Sequence, residues 1–206
     1  MDADSLPVIY RDEDLVVVDK PPGLPSDRTR DPQRSTAVSL VQRLGEGWEE
    51  VRAAHRLDKD TSGVLVLARH RAAAAWFGRL LQERKVEKVY RAVAIAPPSV
   101  DETLTLRGRL QHERGRTQQV RSGGQLAITD VRVIRRRGKL AFLEVRPRSG
   151  RTHQIRVQLA DAGMPIQGDP LYGGAPGPRL MLHALRLTFE YEGRSYHFEA
   201  PPPEGF

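Results

Sequence analysis

Short apolar runs separated by polar turns recur along the chain and predict a structure rich in strands. The first two runs, 8–10 and 15–18, flank a charged turn and predict a hairpin. Further strands are predicted over 64–68, 86–95, 104–110, 127–134, 140–145, 185–189 and 196–198. Apolar residues three and four apart predict helices over 36–44 and 71–84, and a third between Thr152 and Gly163. Ser35 or Thr36 is the expected N-cap of the first helix, and Thr152 that of the third.

This order of elements is typical of the α+β class. We expect one domain over residues 1–206, with a mixed, largely antiparallel sheet and flanking helices and loops around a central cleft. Trp76 is expected in the core, on the apolar face of the second helix. Residues 112–124 have no apolar periodicity and predict an exposed, mobile, basic loop or hairpin, and 135–138 predict a basic turn.

Residues 55–63 concentrate charge directly before an apolar strand. They read His-Arg-Leu-Asp-Lys-Asp-Thr-Ser-Gly, and Val-Leu-Val-Leu-Ala follows. A charged loop attached to a rigid strand is a common position for catalytic groups. Spacing alone leaves a second interpretation open, in which the segment is a solvated turn.

Charge is also unevenly distributed. The formal net charge is +7 and the pI is about 10.1. Two acidic residues, Glu113 and Asp130, share the span 107–139 with ten basic ones: Arg107, Arg109, Arg114, Arg116, Arg121, Arg132, Arg135, Arg136, Arg137 and Lys139. A segregated basic stretch predicts a nucleic-acid partner, and Arg107, Arg109, Arg114 and Arg116 are the first candidates for RNA contacts. An Arg-rich surface without such a partner is the alternative.

Composition excludes several kinds of site. The sequence has no Cys, which excludes a disulfide scaffold, a Cys-ligated zinc site and a thiol nucleophile. The six His are scattered and form no metal-binding motif. No apolar run approaches the roughly 20 residues of a membrane helix, and the N-terminus, with Asp2 and Asp4, lacks the pattern of a signal peptide. We therefore expect a cytoplasmic protein without a metal. A monomer is also expected.

The charged loop is similar to the signature loop of the RluA family of pseudouridine synthases, and every fixed position of that signature is present. Other segments resemble the same family: Asp-Lys-Pro-Pro-Gly-Leu at 19–24, Lys-Val-Tyr-Arg-Ala at 88–92, Gly-Arg-Thr-His-Gln-Ile-Arg at 150–156, Gly-Asp-x-x-Tyr-Gly at 168–173 and Leu-His-Ala at 182–184. Gln158 departs from the family pattern at a position that is not catalytic. The resemblance covers about residues 8–200, and we expect the chain to lack the N-terminal S4 domain of many relatives.

The resemblance implies an RNA uridine isomerase. Asp58 would be the catalytic residue, Tyr90 would lie against the target base, and Arg156 would be the partner of the catalytic carboxylate. Arg56 would enter the stack that the flipped-out uridine leaves, and Leu182 would form an apolar wall. His55 and Thr61 complete the candidate substrate-binding residues, although His55 and His153 are expected to act mainly as structural hydrogen-bond partners.

The isomerisation breaks the N1–C1′ bond of uridine and rejoins the base through C5. Because nothing is oxidised and no group leaves, no cofactor or metal is expected. A carboxylate suits developing positive charge at an anomeric carbon. Attack at C1′, addition to C6 and abstraction of a sugar proton all remain open for Asp58.

Two other function classes remain open. One is a catalytically silent RNA-binding or chaperone protein on the same fold. The other is a glycoside-cleaving enzyme that pairs Asp58 with a second carboxylate such as Asp60. The substrate RNA, tRNA or rRNA, and the position of the uridine are also open.

Overall fold

The computed structural model describes residues 6–45 and 47–206, so Asp2 and Asp4 lie outside the described residues. The helices are α1 (Ala37–Gln42), α2 (Arg71–Gln82) and α3 (Gln154–Asp161). The strands are β1 (Val8–Arg11), β2 (Leu15–Lys20), β3 (Arg52–Ala53), β4 (Ser62–Ala68), β5 (Glu87–Ile95), β6 (Thr103–Glu113), β7 (Arg116–Val120), β8 (Gln125–Arg137), β9 (Leu140–Pro147), β10 (Leu182–Tyr191) and β11 (Arg194–Glu199). The α+β class is confirmed.

The described residues form two compact units, of which the first comprises those up to Glu87 together with Ala184–Pro201. In it β1 pairs with β2 and β2 with β4, both antiparallel, while β10 lies beside β4 and pairs antiparallel with β11. The predicted hairpin of the first two strands is therefore confirmed. Strand β4 is buried along its whole length, which explains its continuous apolar sequence.

Helix α2 packs its apolar face on this sheet. Trp76 is 5% exposed and Phe77 is fully buried, and both belong to the core formed with Val66 and Phe189. The Trp76 ring stacks on Tyr191, with ring centroids 4.0 Å apart. The prediction that Trp76 is a core residue is confirmed.

The second unit comprises Lys88–His183 and Pro202–Phe206. Its strands follow the order β5-β9-β8-β6-β7, and each neighbouring pair is antiparallel. The predicted basic loop or hairpin is a hairpin, since β6 continues to Glu113 and β7 begins at Arg116. Helix α3 contributes Ile155 and Leu159 to the core of this unit.

Two local predictions are wrong. Thr152 does not cap α3; the N-cap is His153, which adopts a left-handed conformation with φ 54° and forms no side-chain cap. The predicted basic turn at 135–138 is shorter, because Arg135, Arg136 and Arg137 continue β8. For α1, the N-cap is Thr36, whose side chain accepts from the backbone N–H of Ser39 in a capping box.

The three helices of the described residues are each too short or too polar to cross a membrane.

Candidate active site

The loop that carries Asp58 is anchored by a buried lysine. Lys20 ends β2 and is fully buried. Its Nζ donates to the backbone carbonyls of Pro21, Leu24 and Lys59 at 3.0, 2.8 and 2.9 Å. An ammonium has three donors, and burial makes each of these bonds valuable. Lys20 therefore ties the turn after β2 to the residue next to Asp58.

A serine fixes the other side of Asp58. The Oγ of Ser26 donates to the carbonyl of Leu57 at 2.9 Å and accepts from the N–H of Leu57 at 3.0 Å. The N–H of Thr61 donates to the carbonyl of Asp58, and the N–H of Gly23 to that of Lys59. The backbone on both sides of Asp58 is thus held by segment 20–26 and by its own turn. This is the preorganisation that a catalytic side chain needs.

Gly63 allows the loop to enter β4. Its φ is 106°, and a Cβ at this position would lie 2.2 Å from the carbonyl oxygen of Ala184. Only glycine fits both the conformation and this close approach. The Gly of the signature loop is therefore required by packing.

The residues of the loop differ in their exposure to solvent. Asp58 is half-buried, whereas Arg56, Lys59 and Asp60 are exposed and Thr61 is buried. The carboxylate of Asp58 is thus the one that the clamped backbone presents from a partly enclosed position.

His55 has a structural contact. Its Nε2 accepts from the backbone N–H of Val66 at 3.0 Å, and its ring packs on Phe77. This agrees with the expectation that His55 acts mainly as a hydrogen-bond partner within the fold.

Tyr90 and Arg156 both lie in the second unit. Tyr90 is half-buried in β5, opposite Val145 of β9. Arg156 is 7% exposed, and its guanidinium binds Asp169 with two hydrogen bonds, Nε to Oδ2 at 2.7 Å and Nη2 to Oδ1 at 2.8 Å. Their meeting with Asp58 in one cleft stays a prediction from the family resemblance.

A hydrogen-bonded network surrounds Tyr172 beside this ion pair. The Tyr172 hydroxyl accepts from the N–H of Thr117 at 2.9 Å and lies 2.8 Å from Nδ1 of His153. The Arg156 guanidinium carbon lies 5.2 Å from the centre of the Tyr172 ring. Burial raises the pKa of Tyr172, against the hydrogen bonds with Thr117, so its phenol stays protonated at neutral pH. The network joins β7 to the first turn of α3.

The other candidates occupy separate positions in the second unit. Leu182 is 3% exposed at the start of β10. Arg107 and Arg109 are exposed on β6, Arg114 lies in the turn with φ 49°, and Arg116 is exposed at the start of β7. The four arginines are therefore exposed on one hairpin, where one RNA backbone could contact them together.

Sequence reasoning gave no role to Lys20 or Asp169. Both stand inside segments that carry the resemblance, and each is a charged residue directly before a proline. That context is a signal for a buried, paired charge, because an unpaired one would be too costly there.

The described residues offer a carboxylate on a rigid loop, a phenol and a buried guanidinium. No group of three or more His, Asp or Glu within 6–45 and 47–206 is placed to hold a metal ion. A fixed carboxylate is suited to nucleophilic attack or to stabilising positive charge at a sugar carbon.

The chain is similar to proteins of known family. The family model described as RNA pseudouridylate synthase matches residues 14–161. Ribosomal large subunit pseudouridine synthase D of Neisseria meningitidis serogroup B is 36% identical over 97% of this chain and 59% of that protein. An uncharacterized RNA pseudouridine synthase of Haemophilus influenzae is 30% identical over 98% of this chain and 89% of that protein.

A solved structure agrees. Human RNA Pseudouridylate Synthase Domain Containing 1 superposes with a TM-score of 0.80 at 25% identity, over 96% of this chain and 84% of that one. The chain spans about three fifths of the length of the Neisseria relative. The match of the family model, the identities and the shared fold confirm the resemblance in the sequence motifs: the chain belongs to the RNA pseudouridylate synthase family.

Proposed function

We propose that the protein is an RNA pseudouridine synthase in which Asp58 is the catalytic residue. The observation that carries the proposal is the clamp around Asp58, formed by Lys20 and Ser26. It fixes the backbone on both sides of one half-buried carboxylate, within a complete family signature.

The reaction conserves atoms. The N1–C1′ bond breaks, a C5–C1′ bond forms, and the proton lost from C5 is balanced by one gained at N1. The protein must hold the freed uracil while it turns and must present a carboxylate to the sugar or the base. The clamped loop supplies that carboxylate in a fixed position, which lowers the entropic part of the barrier.

The remaining site residues take the roles that the family resemblance implies. Tyr90 contacts the extruded base. Stacking of a base on an aromatic ring contributes about 1–3 kcal/mol to binding. Arg156 keeps the site cationic, and Asp169 fixes the plane of its guanidinium through two bonds. Arg56 is exposed and fills the gap that the flipped-out uridine leaves in the base stack. This contact offsets part of the cost of base flipping, which is a few kcal/mol.

The proposed substrate is structured ribosomal RNA of the large subunit, in the cytoplasm. Its support is the naming of the Neisseria relative as a ribosomal large subunit enzyme. The exposed arginines of the β6–β7 hairpin suit a phosphate backbone. Transfer RNA is the alternative substrate.

Asp58→Asn, with Asp60→Asn as a matched control, tests the proposal. Both changes remove one carboxylate from the same loop, but Asp60 is exposed. Purified variants are incubated with unmodified large-subunit rRNA and with tRNA transcripts, and pseudouridines are mapped. We expect Asp58→Asn to abolish pseudouridine formation while RNA binding survives, and Asp60→Asn to retain activity.

Other outcomes favour the competing classes. Pseudouridine formation by the Asp58→Asn variant would contradict the proposal. RNA remodelling in the Asp58→Asn variant, with no pseudouridine made by the wild type, would indicate a chaperone. Release of free uracil, dependent on both Asp58 and Asp60, would indicate glycoside cleavage.

A further inference from the structure

Lys88 is a cation for which the fold provides little compensation. It is partly buried near the start of β5, and its Nζ forms one long hydrogen bond, 3.5 Å to the carbonyl of Ser149. In the part of the chain that the structure describes, no carboxylate pairs with it. Burial, and the nearby Arg151, lower its pKa. The ammonium of Lys88 therefore has a second cation, Arg151, in its surroundings and no paired carboxylate.

The ammonium lies against an exposed segment. Gly150 and Arg151 are exposed, and a Cβ on Gly150 would lie 3.4 Å from Nζ of Lys88. Because Gly150 has no side chain, the ammonium is not covered by one there. Arg151 supplies a second cation at the same edge.

The segment itself is rigid. The buried side chain of Gln154 accepts at Oε1 from Oγ of Ser149 and from the N–H of Arg151, at 2.8 and 3.1 Å. Its Nε2 donates to the carbonyl of Ile128 at 3.1 Å and to Oγ1 of Thr129 at 2.9 Å. Gln154 thus joins the segment to β8 and fixes the backbone from which Arg151 projects, which lowers the ordering cost when an anion binds.

Position along β5 indicates which anion. Side chains alternate along a strand, so Lys88 and Tyr90 project to the same side. Tyr90 is the proposed contact of the target base. A phosphodiester, which carries one negative charge, next to that base is the group that two neighbouring cations fit.

We propose that Lys88 and Arg151 form a binding site for a phosphodiester next to the flipped uridine. The proposal rests on the pseudouridine synthase function proposed above. The site would bind one phosphate of the target strand close to Tyr90. Gln154 is a positioning residue, because it holds the backbone of Arg151.

Substitution of Lys88 tests the site. The variants are Lys88→Gln, Lys88→Arg and Lys85→Gln; Lys85 is exposed and paired with Glu83, so it is a control for the lost charge. The dissociation constant for an unmodified large-subunit rRNA transcript is measured across salt concentrations, together with Tm. We expect Lys88→Gln to bind about tenfold more weakly and to lower the slope of log affinity against log salt by about 1. Lys88→Arg should keep most of the affinity, and Lys85→Gln should match the wild type.

The readouts separate this site from a structural role and from the proposed function. A slope for Lys88→Gln equal to that of Lys85→Gln would overturn the phosphate site, even if Tm falls. A reduced slope that Lys88→Arg restores supports it. Failure of the wild type to make pseudouridine would instead overturn the proposed function, and the salt slopes would still report on the site.

Discussion

At the scale of single residues, Arg156 and Asp169 form a buried ion pair with two hydrogen bonds in the second unit. The Asp169 side chain is fully buried and that of Arg156 is 9% exposed. Two charges leave water at this position, and the two parallel hydrogen bonds offset the cost only while both partners are present. The pair also sets the orientation of a proposed active-site guanidinium, so stability and function are coupled through one carboxylate.

Asp169→Asn tests this coupling. We expect the free energy of unfolding to fall by about 3 kcal/mol, because a buried guanidinium loses the charge opposite it. Denaturation in urea measures the change. Combining the substitution with Arg156→Met should recover part of the loss, since the buried charge is then removed. A change below about 1 kcal/mol, within the range of an ordinary hydrogen bond, would contradict the prediction.

Sequence patterns predicted residue roles unevenly. The motif predicts a catalytic role for Asp58, because its fixed positions reflect the chemistry of the family. Lys20 and Asp169 were missed, because their importance comes from partners that only folding brings together: three carbonyls for one and a distant arginine for the other. The cap of α3 was assigned to Thr152, since hydroxyl caps are the common solution, whereas the backbone turns at His153 without one.

At the scale of elements, the β6–β7 hairpin carries all four arginines of the basic stretch that are predicted to contact RNA. Arg107 and Arg109 are two apart on β6 and project to one side, while Arg114 and Arg116 surround the turn. The hairpin is fixed near its turn by two hydrogen bonds, from the Thr117 N–H to Tyr172 and from Thr117 Oγ1 to the carbonyl of Thr152. Its arginines are therefore held by an element whose position is tied to α3.

Removing charge from this hairpin should weaken RNA binding without harming the fold. The variant Arg107→Gln/Arg109→Gln loses two exposed guanidiniums, and we expect the salt slope of rRNA affinity to fall by about 2. Tm should stay the same, because exposed residues contribute little to stability. The matched control, Arg71→Gln/Lys85→Gln, removes two exposed charges, one at the first residue of α2 and one three residues after its last. Equal slopes for both double variants would contradict a role of the hairpin in RNA binding.

Elements were predicted better where periodicity is clear than where it is not. The apolar alternation predicted β5, β8 and β9 close to their observed positions, and the apolar stripe predicted α2. For the β6–β7 hairpin the sequence predicts either a loop or a hairpin, because its exposed residues leave no apolar pattern. Its strands are held by backbone pairing between β6 and β7, which composition does not record.

At the scale of the whole molecule, excess positive charge is balanced locally by a few carboxylates. The chain carries +7, and in the second unit Glu144 alone receives hydrogen bonds from Arg91, Arg132 and Arg146. Burial raises the pKa of Glu144, but the bonds from Arg91 and Arg146 outweigh it and the pKa is lowered. One carboxylate therefore holds three cations that would otherwise repel one another.

This arrangement predicts acid sensitivity. A carboxyl whose pKa is lowered by folding contributes its full stabilisation above the pKa of the unfolded chain, about 4.3 for Glu. That stabilisation disappears as the pH falls through the lowered pKa of the folded state. Glu144→Gln should therefore lower the free energy of unfolding by about 2 kcal/mol near pH 7. The difference in free energy of unfolding between the variant and the wild type should shrink as the pH falls below about 4. Denaturant unfolding between pH 7 and pH 3 measures it, and a constant difference would contradict it.

The buried ammonium of Lys20 has a practical consequence. The sequence holds five lysines, and three of them, Lys59, Lys85 and Lys139, are exposed. Amine-directed reagents modify the unprotonated, accessible amine, so Lys20 reacts only when its three bonds to carbonyls open. Two of these carbonyls belong to the turn after β2, and the third belongs to the residue following Asp58. The labelling rate of Lys20 therefore reports how often the loop that carries Asp58 opens.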